Sequence, residues 1–139
     1  MNREMGEIIR NREPVCLPPD ASVRQACEVM HQRRIGAILV TGPDGRLVGI
    51  FTGRDLVGCI AAGMDMQATV LNDVMTRDPE TMPPRSTAVD ALRLMQDGGF
   101  RHVPVVEHGR PVGIVSRGDF RGLEHDRLDQ ETGLWERIG

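Results

Sequence analysis

The sequence predicts an α/β (α+β) fold in which one β-α-β-β-α unit is used twice, and three observations carry that prediction. GIFTGRD at residues 49–55 returns as GIVSRGD at 113–119, a spacing of 64 (113 − 49). REPVCLPPDASVRQACEVM at 12–30 lines up with RDPETMPPRSTAVDALRLM at 77–95, a spacing of 65 (77 − 12). Between these blocks both copies run through the same order of helical and alternating apolar patterns, the mark of a tandem duplication.

The first helix of each copy is read from helical spacing: Val23, Ala26, Cys27 and Met30 in residues 22–30, and Ala91, Leu92 and Met95 in 87–95. Ser22 and Thr87 stand where an N-cap is needed. Two short apolar runs follow, joined by GPDG in the first copy and by EHG in the second, which signals a hairpin. A second helix is expected from Asp55 through Ala62, and again from Asp119 toward Leu123. The stretch AAGMDMQATVLNDVMTRDP reads as the connector between copies. The expected organisation is residues 8–70 for the first repeat with its connector, 71–124 for the second, and 125–139 for a C-terminal tail. That tail carries the sole tryptophan, Trp135, with Leu128, Leu134 and Ile138 scattered among charges.

Composition narrows the chemistry. The chain has 139 residues, about one domain, with 40% hydrophobic and 27% charged residues. No apolar run approaches the roughly 18 residues of a membrane span, and the charged N-terminus is unlike a secretory signal, so a cytoplasmic protein without membrane contact is expected. All 17 basic residues are arginine. Without lysine there is no Walker phosphate loop and no Schiff-base nucleophile. A net charge of −3, with arginines interleaved among acids, makes nucleic acid an unexpected partner. Cys16, Cys27 and Cys59 form no CxxC and read as reduced core thiols; the four histidines show no metal-ligand spacing. Met30, Met75 and Met95 read as core.

The repeated motif has the form G-h-x-[ST]-x-x-[DN], met in full by Gly49-Ile50-Phe51-Thr52-Gly53-Arg54-Asp55 and by Gly113-Ile114-Val115-Ser116-Arg117-Gly118-Asp119. With the surrounding helices and prolines it resembles the CBS domain, the regulatory module named for cystathionine β-synthase, from about Ile8 to Leu123. The resemblance implies a pair of repeats packed about a pseudo-twofold axis, an adenine nucleotide or related adenosyl ligand between them (AMP or ATP favoured over NAD or S-adenosylmethionine), and assembly as a homodimer. It further implies a standalone regulatory module, not an enzyme, with no required cofactor and with an unidentified regulated protein as partner in trans.

The motif's chemistry is legible by itself. A strand running into a helix leaves unpaired N–H groups beside the Thr52 or Ser116 hydroxyl, an anion site, while Asp55 or Asp119 one turn later suits a ribose diol. The same pattern is also a capping box, which would appear with nothing bound. The family comparison adds Thr81 on the first strand, where the first copy has Cys16, and Arg101-His102, where the first copy has Gly36-Ala37. These are candidates for ligand contact, or else a solvated strand end. Arg117 is a further candidate within the motif. The expected ligand residues are thus Thr52, Asp55, Thr81, Arg101, His102, Ser116, Arg117 and Asp119, with Asp119 and Arg101 expected to share one site. A ligand-free protein-interaction module is the alternative.

Overall fold

A computed structural model describes residues 3–120. In chain order they form α1 (Met5–Ile8), β1 (Cys16–Leu17), α2 (Val23–Arg33), β2 (Ala37–Thr41), β3 (Leu47–Thr52), α3 (Gly53–Ala61), α4 (Leu71–Val74), β4 (Thr76–Arg77), α5 (Ala88–Gly98), β5 (His102–Glu107), β6 (Arg110–Ser116) and a 3₁₀ turn, Arg117–Phe120. The tail expected at 125–139 lies outside the described residues.

Both expected caps form. The Ser22 hydroxyl accepts from the Gln25 N–H, and Thr87 and Asp90 make a reciprocal capping box that also holds the Asp90 carboxyl below its ordinary pKa. The helices then bury the faces their spacing predicts: Val23, Ala26 and Met30 from α2; Ala88, Ala91, Leu92 and Met95 from α5. Both hairpins form, β2 with β3 and β5 with β6. The second turns at His108-Gly109, both at positive φ, the conformation two-residue hairpin loops require.

The first repeat has a four-stranded sheet in the order β1-β2-β3-β4, with β1 parallel to β2 and the other pairs antiparallel. In the second repeat the counterpart of β1 shrinks to a single parallel bridge, Met82 to Val105.

The connector is more structured than its sequence suggests. Helix α4 packs on the first repeat: the Leu71 N–H donates to the Ala21 carbonyl, and Leu71 and Met75 join the core of Val23, Ile38, Val40 and Phe51. Helix α1 does the reciprocal thing on the second repeat. The Met5 N–H donates to the Ser86 carbonyl, and Met5 and Ile9 are buried among Met82, Leu92, Met95, Val103 and Val115. Each repeat is thus completed by the segment that leads into the other. Fully burying a side chain such as Met5 or Leu71 contributes roughly 1.5–3 kcal/mol relative to leaving it in water.

The repeats also meet directly. Ile114 packs against Ala37, Leu39 and Ile50, the last being its own counterpart (114 − 50 = 64). At the hairpin tips Arg46 lies over Gly109 and Arg110 over Gly45, a reciprocal pair that marks the pseudo-twofold axis.

Candidate functional site

The two motif copies begin identically, with a glycine whose missing side chain is required. A β-carbon at Gly49 would lie 2.5 Å from Met75 Sδ, and one at Gly113 would lie 2.8 Å from Ile9 Cβ. Met75 and Ile9 follow α4 and α1, so the motif glycines exist to let the reciprocal lead-in segments lie across β3 and β6. Their role is packing.

The hydroxyl and the carboxylate serve the helix start. In the first copy Asp55 Oδ2 accepts from the Thr52 N–H (2.9 Å) and hydroxyl (3.1 Å), while Thr52 Oγ1 accepts from the Asp55 N–H (3.3 Å). In the second, Asp119 Oδ2 accepts from the Ser116 N–H (2.7 Å) and hydroxyl (3.4 Å). Capping therefore uses one oxygen of each carboxylate. The other oxygen of Asp119 is held by Arg12 Nη1 at 2.8 Å, whereas Asp55 has no ion pair among the described residues.

A cleft of about 480 Å³ opens between the repeats beside Asp119. From the first repeat come Arg12, Glu13 and Val15 ahead of β1, and the turn Arg33–Ala37 between α2 and β2; from the second come His102, Ile114, Ser116 and Asp119. Its volume lies within the range typical of small-molecule sites. Val15, Ile35, Ala37 and Ile114 give it an apolar strip that suits a flat aromatic base. The motif hydroxyl and carboxylate of the second repeat share the lining with Arg12, Arg33 and Arg34 of the first.

Electrostatics sort these groups further. Burial, and then the Arg101 charge, push the His102 pKa below its ordinary value of 6.5 against the opposing pull of Asp119, so His102 is neutral at pH 7 and serves by hydrogen bonding or stacking. The imidazole lies close over Gly36, where a β-carbon would come within 3.2 Å of Nε2. Cys16 does not line the cleft, and burial raises its thiol pKa, so that side chain is neutral and no nucleophile. Cys59 is buried too, and none of the three cysteines is in a disulfide. Among the described residues no group of three His, Cys, Asp or Glu side chains converges as a metal site would require.

Of the expected ligand residues, the cleft brings together His102, Ser116 and Asp119. Thr52 and Asp55 hold each other at the start of α3. Thr81 and Arg101 are exposed and do not line this cleft, and the ion-pair partner of Asp119 is Arg12. Arg117 is exposed at the head of the 3₁₀ turn, its N–H donating to the Arg101 carbonyl. The residues sequence reasoning missed are Arg12, Arg33 and Arg34. A signal existed for two of them. Arg12 recurs as Arg77 in the R-[ED]-P stretch of both copies, and Arg34 falls where the second copy has Gly99 (99 − 34 = 65).

The family model for the CBS domain matches residues 5–62 and 71–126. The chain belongs to the CBS domain family. A CBS domain-containing protein of Arabidopsis thaliana is 36% identical over 108 residues, covering 77% of this chain and 19% of that protein; the chain spans about a fifth of the length of five of the Arabidopsis relatives it matches. An uncharacterized 17.7 kDa protein of Acidianus ambivalens is 33% identical over 115 residues, covering 82% of this chain and 67% of that one. Among solved structures, a CBS-domain containing protein from Agrobacterium tumefaciens superposes with a TM-score of 0.78 at 36% identity, over 86% of this chain and 91% of its own. A CBS domain protein from Pyrobaculum aerophilum complexed with AMP superposes with a TM-score of 0.82 at 26% identity, over 93% and 98%. The pair of CBS repeats and its α+β architecture are those of these structures. No helix among the described residues is long and apolar enough to cross a membrane.

Proposed function

We propose that this CBS pair is a non-catalytic sensor that binds an adenine nucleotide in the cleft between its repeats and acts on a partner protein in trans. The cleft itself carries the reading: it is lined by apolar Val15, Ile35, Ala37 and Ile114 together with Ser116, Asp119, Arg12, Arg33 and Arg34. A base fits the strip, a ribose diol suits the Asp119 carboxylate, and a phosphate suits guanidinium groups. The AMP-bound Pyrobaculum relative supports the same ligand class. For the diol to reach Asp119 Oδ1, Arg12 has to share or release that oxygen, and at 47% side-chain exposure it has room to do so.

The direct test is thermal unfolding of the purified chain with and without AMP, ADP, ATP, NAD or S-adenosylmethionine. A ligand at about 100 times its Kd adds roughly 2.7 kcal/mol, a shift on the order of 10 °C for a domain of this size. No shift with any of them rejects the sensor reading.

One surface favours the alternative, an interaction module. Helix α3 leaves Val57 65% and Ile60 62% exposed, with Met64 just beyond it at 42%. Such an apolar stripe is a protein contact in waiting. We read its occupant as a second copy of the chain, in line with the homodimer that the family resemblance implies. Ultracentrifugation at micromolar concentration is expected to give a dimer mass, and Ile60→Asp a monomer; a wild-type monomer rejects it.

A further inference from the structure

The two repeats end their first helices with the same left-handed cap, but with different residues. Helix α2 closes on Arg34 at φ 55°, ψ 46°, and α5 closes on Gly99 at φ 70°, ψ 20°. In that region a β-carbon crowds the neighbouring carbonyl, which is why glycine dominates such caps. Nothing lies within 4 Å of where a β-carbon at Gly99 would sit, so the cap needs no side chain for packing. Arg34 therefore carries backbone strain that its counterpart avoids, and strain of this kind gathers at functional positions.

What the strained residue adds is charge on the cleft wall. Arg34 and Arg33 both line the cleft and are exposed, and neither guanidinium makes a hydrogen bond or ion pair among the described residues. Arg12 is already committed to Asp119, which leaves Glu13 as the one carboxylate of the lining without an ion pair. His102 is neutral at pH 7. The cleft thus has two unspent guanidiniums in the same lining as the Asp119 carboxylate, an arrangement that attracts a phosphate and repels a cation.

Resting on the nucleotide reading above, we propose that Arg34 determines the specificity of this cleft, selecting phosphorylated adenine nucleotides over the uncharged nucleoside and over a cationic sulfonium such as S-adenosylmethionine. Selection comes from a guanidinium placed by the left-handed cap, in a repeat whose counterpart presents only glycine there.

Titration calorimetry on the full chain with ATP, adenosine and S-adenosylmethionine tests this in the wild type, Arg34→Gly and Arg34→Lys. Losing a charge-assisted phosphate contact weakens binding about ten- to a hundred-fold. Arg34→Gly is expected to lose that much for ATP, to keep adenosine within about threefold, and to melt no lower than the wild type because glycine suits the cap. Arg34→Lys is expected to recover most of the ATP affinity. The proposal is overturned by an Arg34→Gly that binds ATP as the wild type does, that loses adenosine equally, or that melts several degrees lower. A wild type that prefers adenosine or S-adenosylmethionine to ATP overturns it while sparing the adenine reading. A wild type that binds none of the three overturns it as well, and the adenine reading falls with it when AMP, ADP and NAD also leave the melting temperature unchanged.

Discussion

Thr52 with Asp55 and Ser116 with Asp119 present the same hydroxyl, amide and carboxylate groups in the two repeats, but their surroundings differ. The first set closes a reciprocal capping box on a nine-residue helix. The second opens a 3₁₀ turn, and its carboxylate is bound by Arg12 from the other repeat. The cause lies in the lead-in segments. Arg77, the counterpart of Arg12, donates instead to the Asn72 carbonyl and to Asn72 Oδ1, at 2.8 and 2.9 Å. The residue matching Asn72 in the first lead-in is Gly6, since the two N–H groups donate to the paired carbonyls of Pro19 and Pro84. With no side chain there to hold it, Arg12 turns to Asp119. A duplicated motif can thus diverge through a residue that is not part of it.

The largest separation between the repeats is expected at the motif glycines. A β-carbon at Gly113 meets the branched, stiff root of Ile9, whereas at Gly49 it meets the flexible end of Met75 together with the Thr76 carbonyl at 3.0 Å. Gly113→Ala is expected to cost about 3 kcal/mol and Gly49→Ala about 1–2 kcal/mol in urea unfolding. Equal costs would mean that both lead-in segments yield alike. Next comes ligand affinity. Asp119→Ala is expected to weaken ATP binding about ten- to a hundred-fold by calorimetry, and Asp55→Ala by less than about threefold, because only Asp119 lines the described cleft. The reverse order would transfer the site to the other copy.

The smallest effect is in pH. His102 has Ala37 as its counterpart (102 − 37 = 65), so this titration belongs to one repeat alone. Burial and then the Arg101 charge lower its pKa, and together they outweigh the opposing pull of Asp119. Its folded pKa lies below the unfolded 6.5, so as pH falls through 6.5 the unfolded chain takes up the proton first and stability drops. Above 6.5 both states are neutral and the contribution is flat. The slope from one proton is at most about 1.4 kcal/mol per pH unit. His102→Gln is expected to flatten the decline below pH 6.5 in urea melts taken at several pH values; an unchanged slope would assign it to the carboxylates.

Much of this was legible beforehand because duplication doubles every signal. The caps at Ser22 and Thr87, the helix faces at Met30 and Met95 and both hairpins follow from local patterns, and local patterns suffice where a helix or turn is stabilised by its own neighbours. The lead-in helices were not legible. Met5–Ile8 and Leu71–Val74 are four residues each, too short for periodicity to register, and are fixed only by contacts far away in sequence. The cleft suffered likewise. Asp119 stood out as part of a motif, but its meeting with Arg12 and Arg34 depends on how the repeats face each other.

The reciprocal lead-ins also set an order of events during synthesis. Helix α4 emerges after the first repeat it completes, and can dock at once. Helix α1 is made ahead of both repeats, yet its partners extend to Val115 and Phe120. At about 5–20 residues per second, the first segment waits roughly 5–20 s on the ribosome with Met5 and Ile9 uncovered. The second repeat thus depends on a segment translated before the first, and a ribosome-bound chain halted after α4 carries one complete core alongside an α1 segment that has nothing yet to bind.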